Sequence, residues 1–287
     1  MKKMLILGLS LLGVALGQSD TFDPAQFERS LVYQTGQVSV LNQKVNIQVP
    51  VNMRFLDASN AQKLLEEGWG NPQDPDVLGM LVPAKTSPMS NSGWGVVVTY
   101  EEDGHISDKD ASTINYSQLL KDMQEASRSS NAERKEAGYP TVDLIGWATP
   151  PRYDGLSHKM YWAKEISFDS DPVHTLNYNV RVLGRTGVLN LNAVAGMNQI
   201  SEVEAAIPEM LDAVSFTPGN RYEDFQAGRD KVAEYGLAAL VAGGLGAAAS
   251  KTGILAVILL FLKKFFVFIL AGIAALFRAI TGRRQQA

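Results

Sequence analysis

The sequence predicts an α+β fold: an antiparallel sheet flanked by helices, followed by apolar C-terminal helices that enter or lie against a membrane. Three observations lead there. Runs with strand periodicity, joined by short Gly-, Pro- and Asn-containing turns, fill most of residues 36–194. One long amphipathic helix interrupts them and another follows them, the arrangement of a sheet with helices packed on it. Beyond residue 231 the composition changes to Ala, Gly, Leu, Ile, Val and Phe, with few charges.

In chain order, residues 1–17 read as an export signal. Lys2 and Lys3 precede an apolar run over residues 4–16, and Ala15-Leu16-Gly17 offers small residues for cleavage before Gln18. Residues 36–49 alternate Val38 and Val40, then Val45, Ile47 and Val49, around Asn42-Gln43, the pattern of a hairpin. Asp57 is placed to cap a short helix through Leu64 and Leu65 that stops at Gly68. Residues 77–82 and 94–100 are strands flanking a loop with Pro83, Pro88 and Gly93.

The long helix has Tyr116, Leu119, Leu120 and Met123 as its apolar stripe. Glu133, Arg134, Lys135 and Glu136 make its solvated face, and Gly138 with Pro140 stops it. A capping box of Ser107 with Asp110 is expected to open it. Residues 142–147 and 159–168 are strands separated by Pro150-Pro151 and Asp154-Gly155, and residues 174–183 and 188–194 form a hairpin closed by Gly184-Arg185-Thr186-Gly187. The last helix spans residues 199–214, with Pro208 as a kink. With no repeat and no long linker, residues 18–230 read as one exported domain. Its element order resembles the sandwiches of the Mog1/PsbP type, an analogy of fold that implies no function.

Residues 231–287 read as a membrane anchor with a basic tail. Residues 235–250 form a first apolar segment, short against the ~20 residues of a spanning helix. Residues 254–277 form a second, broken by Lys263-Lys264. Two adjacent lysines at a bilayer centre would cost on the order of 5 kcal/mol, so one span followed by a segment along the inner leaflet is favoured over a two-helix hairpin. Residues 18–231 carry 18 basic and 29 acidic residues, net −11, whereas every charge after Glu234 is basic. The positive-inside rule then puts the domain on the periplasmic side of a bacterial inner membrane and the tail in the cytoplasm. Membrane lipid is the expected partner. The stripe Ala238, Ala242, Gly246 and Ser250 offers a close-packing face for a second copy or another envelope membrane protein. A strongly acidic domain has no footprint for nucleic acid.

The candidate site is the second hairpin. Pairing Gly184 with Gly187 sets Arg181 opposite Asn190 and Asn179 opposite Asn192, so that Asn177, Asn179, Arg181, Asn190 and Asn192 share one face. That face is either solvated or a polar groove for a sugar, an anion or a partner strand. Glu165 and Tyr161 join it in one register of the preceding strand, and Lys164 takes their place if the loop over residues 169–173 shifts that register by one.

The three histidines His105, His158 and His174 lack metal-site spacing, and each reads as exposed or hydrogen-bonded. The acidic run at residues 101–110 resembles a calcium loop only in its late positions, with Thr99 in place of the first ligand, and reads more economically as a turn. There is no cysteine, no G-x-S-x-G, no phosphate-binding glycine loop and no dinucleotide fingerprint, so no cofactor or metal is expected.

Several motifs together resemble one family. They are Trp69-Gly70-Asn71-Pro72, residues 94–103, Gly146-Trp147 through Pro150-Pro151-x-Tyr153-Asp154, and HKMYWAKE at residues 158–165. Leu176-Asn177-Tyr178, Leu183-Gly184-Arg185 and Pro218-Gly219-x-Arg221-Tyr222-x-Asp224-Phe225 complete the set. These are similar to the DUF2167 family of predicted bacterial membrane-anchored proteins. The resemblance implies a cell-envelope protein and assigns no catalytic or ligand residue. The expected function is a non-catalytic binding, scaffold or sensing module; the alternative is an envelope hydrolase acting on carbohydrate or peptidoglycan, with Glu165 as acid/base beside His158 or His174.

Overall fold

An eight-stranded antiparallel sheet forms the middle of the fold, with strand order β1-β4-β5-β6-β10-β9-β8-β7. The structure is a computed structural model that describes residues 22–71, 73–136 and 140–243; the predicted signal and residues 244–287 lie outside the described residues. The large sheet comprises β1 (Tyr33–Gln34), β4 (Met53–Asp57), β5 (Val77–Pro83), β6 (Gly95–Glu101), β7 (Val142–Asp154), β8 (Lys159–Phe168), β9 (Thr175–Leu183) and β10 (Val188–Gly196). A smaller sheet joins β2 (Gly36–Val40), β3 (Val45–Val49) and β11 (Val214–Phe216) in the order β11-β3-β2. The helices are α1 (Pro24–Arg29), α2 (Ala58–Lys63, continuing in a π-helical turn at Leu64–Gly68), α3 (Tyr116–Glu136), α4 (Ile200–Ala213) and α5 (Leu237–Ala242).

Three layers result, and the α+β expectation holds. One face of the large sheet buries Phe55, Leu81, Val98, Val180, Leu189 and Leu191 against α4 and the small sheet. On the other face, α1 and α2 cover Leu56, Met80 and Val97 at one side. There α3 and α5 cover Met160, Trp162, Leu183 and Val188 at the other. Between those two apolar patches run the central strands β9 and β10, and their outward residues are the asparagines.

Local chemistry explains most boundaries. Leu41, Asn42 and Gln43 all take positive φ to close the β2–β3 hairpin. The Asp57 carboxylate accepts the Asn60 N–H and caps α2, as expected. Asn115, not Ser107, caps α3: its Oδ1 accepts the Gln118 N–H, and residues before it form turns. Arg134, expected on a solvated face, is 9% exposed. Its Nε donates to the Pro140 carbonyl, while Gln124 and Ser127 donate to the β7 carbonyls of Ile145 and Val142. Asn131 Oδ1 accepts the Val142 N–H. The polar side of α3 therefore satisfies a sheet edge that would otherwise be left unpaired.

β7 runs straight through Pro150-Pro151, where the sequence predicted a break. It is the outermost strand, and its register shifts three times against β8, so prolines there remove no ladder bond that the sheet needs. Val214, expected to end the last helix, instead begins β11 and pairs with Ile47.

The chain also stays in the domain beyond residue 230. Tyr235, Leu237, Leu240, Val241 and Ala242 are buried in the cluster under α3, and α5 ends at Gly243 with φ 140°. The first part of the predicted anchor is thus core, and Ala242 of the small-residue stripe, expected to pack against a second copy or another membrane protein, is buried within this domain. Among the described residues no helix is long and apolar enough to cross a membrane.

Gly187 marks the tightest approach in the β9–β10 turn. A Cβ there would lie 2.2 Å from the Glu101 carbonyl oxygen and 2.5 Å from the Tyr100 hydroxyl. Gly187→Ala is therefore expected to lower stability by about 2–4 kcal/mol, read as a fall in the urea midpoint at unchanged slope. An unchanged midpoint would show that β6 yields freely.

Candidate functional site: a buried polar layer and a ring column

The β9–β10 register is the expected one, with Arg181 opposite Asn190 and Asn179 opposite Asn192. All five residues share a face, but that face is neither solvated nor an open groove: none of the five is more than 4% exposed. Their amides bond to one another. Asn177 Nδ2 donates to Asn192 Oδ1 at 2.9 Å, and Asn179 Nδ2 donates to Asn177 Oδ1 at 2.8 Å. Arg181 donates to the Asn179 Oδ1 and the Val180 carbonyl, and its guanidinium lies 5.2 Å from the Trp162 ring centre. Asn190 Nδ2 reaches Thr99 Oγ1 and Glu101 Oε1 on β6. Networks of this kind fix register because a one-residue slip would bury each amide without a partner.

Glu165 is not in the layer. The β8–β9 register places it opposite Leu176 and places Lys164 opposite Asn177, so Lys164 joins the polar face beside Trp162. Asp169 and Ser170 both take positive φ in the intervening loop, and that geometry sets the register. Two cations thus share the interior. Burial, then the charge of Arg181, brings the Lys164 ammonium down to about 7. Burial also lowers Arg181, to about 10, against the attraction of Glu101, so it stays charged at neutral pH. Near its Arg181 end the layer meets Tyr235, whose hydroxyl donates to the buried Asp103; burial and that bond both raise its pKa.

A second constellation was not foreseen. Four rings stack in a column, in the order Phe225, His105, Tyr222 and His158. Successive centroids lie 4.1, 4.2 and 4.0 Å apart. Tyr153 donates to Asp108 at 2.8 Å and lies 3.0 Å from His158 Nδ1. Burial pushes the Asp108 carboxyl up, but hydrogen bonds from Tyr153 and Tyr222 outweigh it and hold the group below its ordinary value. The column draws on segments far apart in sequence, so no spacing announces it. Three of its members, His158, Tyr222 and Phe225, and the adjoining Tyr153 lie in the motifs by which the sequence resembles its family; His105 does not.

The remaining histidine lines an open cleft. His174 Nδ1 lies 2.5 Å from Glu165 Oε1, and His174 borders a cleft of about 510 Å³ with Arg128, Asp143, Ser170 and Asp171. His158 is bonded elsewhere, so His174 is the histidine that pairs with Glu165. Among the described residues no three His, Asp or Glu side chains are placed to hold a metal ion.

No curated protein sequence matches this chain. Solved structures match it loosely. Cyanobacterial PsbP (CyanoP) from Synechocystis sp. PCC 6803 is 10% identical at a TM-score of 0.34, over 64% of this chain and 92% of that one. The Ran-binding protein Mog1p of Saccharomyces cerevisiae is 10% identical at 0.35, over 65% and 96%. LpqN, described as involved in cell envelope biogenesis of Mycobacterium tuberculosis, is 15% identical at 0.33, over 69% and 99%. Superpositions this loose carry no functional argument. The family model for DUF2167, described as a protein of unknown function, matches residues 32–274. That span takes in the whole sheet, the polar layer, the ring column and α5, and the chain belongs to the DUF2167 family.

Proposed function

We propose that the protein is a non-catalytic binding or scaffold module of the bacterial cell envelope. In this reading its acidic domain faces the periplasm and apolar residues after 243 hold it to the inner membrane. The observation that carries the reading is the contrast in charge: net −11 over residues 18–231, only basic charge after Glu234. Membrane lipid is the proposed partner of residues 254–277. A second copy or another envelope protein is proposed to pack where small residues recur at Gly246 and Ser250. The polar layer serves as the site only through whatever displaces its cover, since Asn177, Asn179, Arg181, Asn190 and Asn192 are sealed. The test is protease protection in intact spheroplasts: the domain is expected to be cut from outside while a C-terminal tag survives. A domain protected together with the tag would sink the orientation.

A second reading, an envelope hydrolase, is favoured by one feature, the Glu165–His174 pair, whose histidine borders the cleft. A carboxylate beside an imidazole can exchange a proton with a bound substrate. If it is right, Glu165→Gln and His174→Ala each abolish turnover of peptidoglycan fragments while leaving folding intact. Turnover that survives either change removes this reading.

A further inference from the structure

After the single turn Tyr222–Asp224, residues 225–242 cross the ends of β6, β8 and β9 as a strap and finish in α5. Before α5 it is held by a few polar bonds, by Phe225 stacked on His105 and by the buried Tyr235 ring. Arg185 grips Asp230 with two bonds, at 2.7 and 2.9 Å. Tyr235 donates to Asp103, and the Leu237 N–H donates to Asp110 Oδ1 at 3.3 Å. The central attachment is His105, which holds the strap and its entry turn through both its backbone and its ring. Its N–H donates to the Lys231 carbonyl at 2.9 Å and its carbonyl accepts the Ala233 N–H at 2.9 Å. Its ring is held between Phe225 and Tyr222. Gly104 before it has φ +107°, and a Cβ there would meet the Lys231 carbonyl at 2.8 Å, so the approach of strap to sheet is as close as a backbone permits.

The His105 ring is poorly prepared for a proton. Its Nδ1 is buried with no hydrogen-bond partner among the described residues, so a second N–H would have no acceptor. The groups that face it divide. Asp108 and the strap's own Asp230 attract a positive charge, as does a hydrogen bond to the Arg185 backbone; His158, across the Tyr222 ring, opposes one. The Asp108 carboxylate is already engaged by Tyr153, and Asp230 by Arg185. Burial prevails and lowers the imidazole below its ordinary value.

We propose that residues 225–242 are an acid-sensitive strap, latched to the sheet by the neutral His105 ring and opening more readily when that ring is protonated. Opening lifts Tyr235 and α5 from Trp162, Met160 and Leu183 and uncovers the Arg181 end of the polar layer, while the apolar core on the opposite face stays in place. The sign follows from the direction of the shift. A histidine with a lowered folded-state pKa contributes full stability above its ordinary value of about 6.5, and that contribution is lost as pH falls through the folded-state value. The inference is independent of membrane attachment, because the latch lies wholly within residues 103–242.

The experiment is amide hydrogen exchange on the full chain in detergent at about pH 7.5 and about pH 5, corrected for the intrinsic pH dependence of exchange. Strap amides of Ala233, Leu237 and Leu240 are expected to lose protection by up to about tenfold for each pH unit between about 6.5 and the folded-state pKa, and no further below it, while β9 and β10 keep theirs. His105→Phe keeps a ring in the column but cannot take a proton, and is expected to abolish that loss. Three results would overturn the proposal: no loss of strap protection by about pH 5, loss shared equally by β9 and β10, or an unchanged response in His105→Phe. Should that variant not fold, NMR titration of the His105 ring in the native chain decides. A midpoint coincident with strap opening supports the latch, and a separate midpoint overturns it.

Discussion

Ending the chain at Asp230 is expected to cost on the order of 6–10 kcal/mol of domain stability relative to a chain ended at Gly243, most of what a typical domain possesses. The residues lost include Tyr235, Leu237, Leu240 and Val241, none of them more than 8% exposed. Each fully buried side chain of this size contributes about 1.5–3 kcal/mol. Their removal also exposes Trp162 and Met160, both fully buried, and leaves the buried Asp103 without the Tyr235 hydroxyl. Thermal unfolding of the two forms, each starting at Gln18, should differ by about 20 °C or more. Equal melting temperatures would mean that α5 rests on the sheet without supporting it. The comparison also fixes where the domain stops: composition places the boundary at residue 230, and the packing places it after α5.

That displaced boundary shows what the sequence could carry and what it could not. Six apolar residues at 237–242 look the same whether they face lipid or a protein core; only Gly243 with its positive φ and the buried partners on α3 distinguish the two. The β9–β10 register was legible because two glycines bracket a four-residue turn and alternation does the rest. Whether its asparagine face meets water was not legible. The answer depends on segments far from it along the chain: α3 and α5 bury Met160 and Trp162 on the same face, beside Arg181. The choice between Glu165 and Lys164 hung on a single residue of register, and two non-glycine residues at positive φ in the loop decided it. Arg134 misled for a related reason. A charged residue late in a helix reads as solvated, yet here the helix lies along an unpaired sheet edge whose carbonyls need donors.

Lys164→Met is expected to raise stability at neutral pH by about 2–4 kcal/mol and to remove a pH dependence that the native chain should show. Lys164 is 4% exposed, and burial with Arg181 nearby brings its folded-state pKa from 10.5 to about 7. Between those values the unfolded chain holds a proton that the folded chain does not, so stability rises with pH across the window and the full penalty is present below it. Methionine is unbranched and of similar length, and it carries no charge to desolvate. Arg181→Met should bring no such gain. Arg181 remains charged, is hydrogen-bonded to Asn179, covers Trp162 and answers the charge of Glu101, so its loss would strip partners from groups that stay buried. Urea unfolding of the domain ended at Gly243, followed from about pH 6.5 to about pH 9.5, separates the two cases. If Lys164→Met proves less stable at every pH and keeps the native slope, the ammonium is a favourable member of the polar layer. The layer would then owe part of its stability to its charges, and the binding reading would gain a cation that the interior holds favourably.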